Sequence, residues 1–408
     1  MFEFHPSFSF TEEYTDNFHL ASGSSPRTSN FRSTASAGFS LLINAPKTTG
    51  SISTSMSASI DSSSSEPDAN FFPTFAGTVR HVFNPRLSVT VTDALTRSDE
   101  PSLVDTTGLR RERRIFTSNT FSISADWLLD LVSTQAYYRN SLFFSRDETI
   151  SHIFGVTAST RLGELNSLSG GYELSLSNTS TDPTTGATGQ QSSDSVGHLV
   201  HLSLSRRIGY FGSAGVSTSY ALQSRDNTKI WNISVFSAYG LPTGLSLSSS
   251  LGYSRLYSDS GGDSNAITTN STVSYRFTKA VISLGISQDY RQTFVEGQDF
   301  GIVLTRSAHA SFSYPITPFI GTSVFATYSE TEPPGSELFS ISDRSAKAFT
   351  AGFSLSWPIL RWLSGSLSYT FTERSGDASF VDPRLTGQSS STGTIRENRA
   401  TVTLSASF

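Results

Sequence analysis

The C-terminal residues Ala400-Thr401-Val402-Thr403-Leu404-Ser405-Ala406-Ser407-Phe408 alternate apolar and hydroxyl side chains without a break. The same period of two returns at 87–92, 200–205, 349–357 and 363–372. In an extended chain successive side chains point to opposite faces, so each of these segments is a strand with one apolar and one polar face. A soluble sandwich would fill the polar face with Lys, Glu and Arg. Here that face is mostly Ser, Thr and Gly, and the apolar face continues through nearly every segment.

Turn signals divide the chain regularly. Short ones fall at 47–50, 84–86, 128–130, 163–166, 208–211, 241–244, 277–280, 316–318 and 358–361. Between them lie more polar and mostly longer links at 18–30, 63–70, 98–113, 145–148, 180–194, 224–228, 259–265, 295–299, 332–342 and 375–394. Segments of about ten alternating residues, joined alternately by short turns and longer loops, are the pattern of an outer-membrane barrel. The fold predicted is all-β: a single transmembrane antiparallel up-and-down β-barrel over residues 1–408, of about twenty strands. Its short turns and both termini are periplasmic and its longer loops extracellular. Merging the hairpin at 145–148 would give about eighteen strands. Aromatic positions agree: Trp127, Trp357, Trp362, Tyr239, Phe277 and Tyr314 stand beside short turns, where an interfacial girdle belongs, and Trp231 stands near the opposite interface.

Composition removes other classes. The chain has 408 residues, 36% hydrophobic and 15% charged, below a soluble domain on both counts. Ser and Thr supply about 30% of it, yet aromatics reach 12%, which a disordered chain would not carry. Zero cysteines exclude disulfides, thiolate metal sites and thiol nucleophiles, and a net charge of −5 gives no basic footprint for nucleic acid. Nothing approaches the ~18 consecutive apolar residues of a membrane helix. Met1-Phe2-Glu3-Phe4 has no basic, apolar leader, so the sequence reads as a mature outer-membrane chain without its signal peptide.

Parity assigns the faces. With Phe408 toward lipid, Arg399, Thr401, Thr403, Ser405 and Ser407 face inward. The same rule places Arg139, Arg161, Glu173, Arg207, Arg276, Asp289 and Arg291 in the lumen, with Arg80, Glu13 and Asp126. A barrel of about twenty strands is too wide for side chains to fill and encloses an aqueous channel. The inward arginines read either as a basic stripe for an anion or as local partners of inward acids. Val402, Leu404 and Phe408 form the C-terminal pattern that the barrel assembly machinery reads. Lipopolysaccharide is the expected surround, and the cluster Arg110-Arg111-Glu112-Arg113-Arg114 reads first as an anchor against anionic outer-leaflet lipid.

No catalytic constellation stands out, and no enzyme activity or cofactor is expected. His198 and His201, three apart on a strand, lie on opposite faces and make poor partners for one metal. The Asp259–Asp263 stretch lacks the ligand spacing of a calcium loop. So many serines make any Ser-His-Asp match uninformative.

The opening strand runs His5-Pro6-Ser7-Phe8-Ser9-Phe10-Thr11-Glu12-Glu13-Tyr14-Thr15-Asp16-Asn17. It resembles the first strand of the β-barrel porins encoded with exopolysaccharide and exosortase-type secretion systems, which run from a Pro-Ser strand into Glu-x-Tyr-Thr-Asp-Asn. The match covers Glu12, Glu13, Tyr14, Thr15, Asp16, Asn17 and the residues before them. The resemblance implies an outer-membrane port for secreted polysaccharide working with a periplasmic export protein. Two alternatives stand beside it. One is a general diffusion porin, narrowed by an inward loop for which 98–113, with Asp99, Glu100, Asp105 and its arginines, is the best candidate. The other is a structural barrel plugged by, or sheathing, a partner.

Overall fold

The computed structural model describes every residue except 23–25, 64–68, 101–112, 146, 182–192, 225–226, 260–262, 296–297, 333–344 and 377–392. The strands are β1 (Phe2–Thr15), β2 (Asn30–Asn44), β3 (Thr48–Asp61), β4 (Asn70–Asn84), β5 (Leu87–Ser98), β6 (Phe116–Leu128) and β7 (Val132–Phe144). They continue with β8 (Asp147–Leu162), β9 (Asn166–Thr181), β10 (Ser193–Ile208), β11 (Gly212–Gln223), β12 (Thr228–Gly240), β13 (Leu245–Tyr257) and β14 (Ser264–Arg276). The last are β15 (Val281–Val295), β16 (Gln298–Pro315), β17 (Gly321–Glu332), β18 (Ala346–Pro358), β19 (Leu363–Gly376) and β20 (Ile395–Ser407). Each pairs antiparallel with its neighbours in the chain, and β1 pairs with β20 from Ser7↔Ser407 to Thr15↔Arg399, closing one 20-stranded sheet. The hairpin around 145–148 is formed: β7 and β8 pair as far as Phe144↔Glu148, so the count is twenty and not eighteen.

The alternation dictates this closure. Among the described residues the barrel is inside-out relative to a soluble protein. Val200, Leu202 and Leu204 on β10 are 50%, 51% and 49% exposed, and Val402 and Leu404 on β20 match them. That is the face an outer-membrane barrel gives to lipid. Strands of 12 to 18 residues exceed the ~9–11 needed to cross a bilayer, so the wall projects beyond it. Closure also satisfies the described strands' backbone groups as lipid requires, except beyond Thr269↔Gln288, where the ladder between β14 and β15 ends. The molecule is an outer-membrane β-barrel of the bacterial type.

The short turns carry suitable chemistry. Gly163, Gly209 and Gly244 take φ values of +78°, +63° and +95°, which side-chain-bearing residues adopt at a cost. Trp127, Trp362, Tyr239 and Phe277 are all exposed at this end. Phe408 joins them by stacking on Trp362 with ring centroids 5.6 Å apart. Asp93 interrupts the apolar outer face of β5: it shares parity with Val89 and Val91, and its carboxylate accepts a 2.8 Å hydrogen bond from Asn119.

Candidate functional site

The inner wall is zipped by hydroxyls. Thr11 meets Thr403 at 3.0 Å, Ser36 meets Ser57 at 2.8 Å, and Ser55 meets Thr74 at 2.6 Å. Ser167 and Ser205, Ser246 and Ser274, and Ser287 and Ser307 each meet at 2.6 Å, with Ser323 and Ser354 at 2.7 Å. These are inward cross-strand partners in the registered ladders. Each pair satisfies part of the other's hydrogen-bonding capacity and leaves a neutral polar surface toward the channel.

Charge is concentrated at the end that carries the longer links, extracellular on the sequence reading, where β20, β1, β2 and β3 meet residues flanking the β5–β6 link. Arg32 of β2 grips two carboxylates: Nε lies 2.7 Å from Asp61 of β3, and Nη2 lies 2.6 Å from Asp99. Arg113 bridges Glu100 at 3.0 Å and Glu397 of β20 at 2.8 Å. Arg399 lies 2.8 Å from Glu100, 3.0 Å from Glu397 and 3.8 Å from Glu13. Phe18 sits between two of these cations, with the guanidiniums of Arg32 and Arg113 at 5.2 Å and 5.1 Å from its ring centroid. The Arg113 side chain is 5% exposed. Forked guanidinium–carboxylate contacts of this kind fix geometry as well as charge.

The first-strand motif builds this corner. Glu13 faces Arg399, and the Thr15 hydroxyl donates to Glu397 at 3.0 Å. Asp16 accepts from the backbone N–H and the side-chain amide of Asn398, both at 2.7 Å. Asn17 donates to the carbonyls of Ala21 and Arg396, both at 2.9 Å, and accepts from the Ala21 N–H at 2.8 Å. Tyr14 faces outward and packs on Phe31 at 4.9 Å, while Glu12 faces outward and accepts from Ser33. The motif therefore clamps the first strand to the last at the seam where the barrel closes.

A second inward element comes from β15 and β16. The ladder between β14 and β15 stops at Thr269↔Gln288, and the Gln288 side chain donates to the Ile267 carbonyl at 2.6 Å just past that point. Beyond it β15 pairs only with β16. Tyr290, Ile302 and Leu304 then pack on Leu256 and Ala266, residues of inward parity on β13 and β14, and the Tyr290 hydroxyl meets Ser264 at 2.7 Å. Ile302 also borders a recess with Glu173, Leu199, Ala221 and Ile230. The hairpin has left the wall and lies against its inner surface.

The predicted inward residues separate into groups. Arg399 is a local ion-pair partner. Glu173 accepts a 2.6 Å hydrogen bond from Tyr137. Arg161 and Arg207 border a recess of about 680 Å³ at the periplasmic mouth, together with Ser167, Ser205 and Ser213. Arg276 is the last residue of β14 at the same end, whereas Arg139 stands higher on β7. Asp289 and Arg291 lie on the inserted hairpin, on the opposite face from Tyr290. Val402 and Leu404 share the outward face of β20, and Phe408, exposed, follows its last residue. Reading the 110–114 cluster as a lipid anchor fails for Arg113, which turns inward to pair with the buried Glu397 and the partly buried Glu100; Arg110, Arg111 and Glu112 lie outside the described residues. Asp105 of the candidate constriction loop also lies outside them, while Asp99, Glu100 and Arg113 carry its contacts.

The sequence reading missed Arg32, Asp61 and Glu397, because their partners come from links and strands far apart in the chain. The available signal was a charged residue of lumen parity at the extracellular end of each of three nearby strands.

No family model matches the chain, and no curated protein does. Solved structures do match. The siderophore receptor PirA from Pseudomonas aeruginosa is similar over 100% of this chain and 80% of its own, at 10% identity and a TM-score of 0.55. The ferric-catecholate import receptor Fiu from E. coli K12 is similar over 98% and 81%, at 10% identity and a TM-score of 0.57. At that identity the likeness is one of fold: this chain has the architecture of outer-membrane β-barrel transport proteins.

Proposed function

We propose that the protein is an outer-membrane channel for a long polar solute, a polysaccharide passed outward from the periplasm. The observation that carries this reading is the neutral wall of paired hydroxyls. A chain that slides needs many shallow contacts and no deep trap, and hydroxyls already satisfied by a neighbour offer that. The first-strand resemblance points the same way, although the comparisons with known proteins add nothing to it. On this reading a periplasmic export protein docks at the mouth bordered by Arg161 and Arg207, the assembly machinery engages Val402, Leu404 and Phe408, and lipopolysaccharide surrounds the outward face.

A deletion strain tests it. Surface polymer should disappear while uptake of small nutrients stays at the parental level, and the wild-type gene should restore the polymer. Polymer undiminished in the deletion strain removes the reading.

The facing acids and bases around Arg32, Arg113 and Arg399 favour a second reading, a general diffusion porin with a charged constriction. That reading requires the deletion to slow small-solute uptake instead.

A further inference from the structure

Among the aromatic rings of lumen parity, five interrupt the hydroxyl pattern in the same way: each lies over a glycine on an adjacent strand. Tyr137 covers Gly155, His201 covers Gly171, Phe236 covers Gly215, His309 covers Gly285 and Phe325 covers Gly352; at each of these glycines an added Cβ would run into the ring. The registers pair all five directly across the ladder, as Tyr137↔Gly155, His201↔Gly171, Phe236↔Gly215, His309↔Gly285 and Phe325↔Gly352. All five rings have lumen parity.

Their depth is common. Tyr137 stands five positions after Val132, and Phe325 four after Gly321. Phe236 stands four before Gly240, His309 six before Pro315, and His201 seven before Ile208. Each of those reference residues is the periplasmic end of its strand. At ~3.3 Å per residue on strands tilted ~40°, the rings form a belt roughly 10–18 Å above the periplasmic ends.

A ring over a glycine fills a gap in a sheet and stabilises it. The same device occurs on the outward face, where Trp357 covers Gly365. There the ring meets lipid. On the inner face Phe236 and Phe325 are only partly covered and meet an aqueous lumen, an exposure that disfavours Phe on a wall otherwise made of hydroxyls. Sheet stability alone would be served equally by a ring on the lipid side. What a ring gives and a serine cannot is a flat, electron-rich face for the C–H surface of a pyranose, with neighbouring hydroxyls for its equatorial O–H groups.

Resting on the polysaccharide reading above, we infer that Tyr137, His201, Phe236, His309 and Phe325 form a belt of sugar-stacking subsites in the periplasmic half of the channel. Successive sugar units bind to and leave this belt as the polymer advances past it.

The test is current block by purified protein in a planar bilayer, with maltohexaose added on the periplasmic side and a polyethylene glycol of matched hydrodynamic size as control. A neutral sugar separates stacking from attraction by arginine. The wild type should show sugar-dependent blocks that the glycol does not produce. The triple variant Tyr137→Ala, Phe236→Ala, Phe325→Ala should shorten them about tenfold at unchanged open conductance. The milder pair Phe236→Leu and Phe325→Leu keeps apolar bulk over the glycines, so a folded barrel is retained, and should shorten them too. Equal sugar and glycol block in the wild type, or equal sugar residence in the Leu pair, overturns the inference. Complementation keeps the two ideas apart. If only stacking is wrong, deletion still abolishes the polymer and the Leu pair restores it fully; if export is wrong, the deletion strain keeps its polymer.

Discussion

Leu404 and Thr403 are adjacent in sequence and face different surroundings. Leu404 is 43% exposed on the outer surface, and Thr403 shares a hydrogen bond with Thr11 across the closing seam on the inner one. A lysine in place of Leu404 takes its charge into hydrocarbon and should cost about 2–4 kcal/mol, less if it snorkels to an interface. A lysine in place of Thr403 reaches water and loses one hydroxyl contact, about 1 kcal/mol at most. Urea unfolding of the two variants in lipid vesicles measures the difference, and equal costs at both positions would mean that alternation does not separate lipid from lumen. The charged corner obeys a different rule. Arg32, Arg113 and Arg399 are held by five carboxylates at distances of 2.6 to 3.8 Å, so these cations are committed to structure and offer little to a passing anion.

At the scale of elements, a few described contacts hold the inserted part of β15 and β16 against the wall. Tyr290, Ile302 and Leu304 supply its apolar contacts with the wall, and Ser264 supplies a hydrogen bond to Tyr290. Tyr290→Ala together with Ile302→Ala should weaken docking by about 2–5 kcal/mol per large side chain removed, release the hairpin and raise single-channel conductance. Conductance identical to the wild type would show that the hairpin does not narrow the path. This element also marks where sequence reasoning ran out. The turns at 241–244 and 277–280 and the twenty strands were legible because period two and turn chemistry are local. Parity alone gives Tyr290 and Leu304 to lipid, since it cannot register that the ladder to β14 ends at Gln288 and the strand folds inward. Asp99, Glu100, Glu13 and Arg399 of the charged corner were legible singly, but their pairing with Arg32, Arg113 and Glu397 was not, because it joins residues whose proximity exists only after closure. The aromatic belt was half visible, as an apolar ring at lumen parity opposite a glycine.

Across the whole molecule the described charges are distributed unevenly along the channel. The long-link end carries acids and bases held in close ion pairs, whereas Arg161, Arg207 and Arg276 stand at the opposite ends of β8, β10 and β14, where Glu164 lines the same recess as the first two. None of the ion pairs among the described residues involves those three. A polymer leaving the periplasm would meet them first, and an acidic one would be drawn in by a field that salt screens over about 10 Å at 0.1 M and about 3 Å at 1 M. Replacing all three by Gln should therefore lower the anion preference, read as the reversal potential across a salt gradient near 0.1 M, and the difference from wild type should shrink as both sides approach 1 M. Replacing Arg399 by Gln should leave that preference in place and disturb the extracellular corner instead, because its charge is already spent on Glu13, Glu100 and Glu397. Were the triple variant to keep the wild-type reversal potential at low salt, selectivity would lie elsewhere along the channel, and the periplasmic arginines would serve the rim as structure.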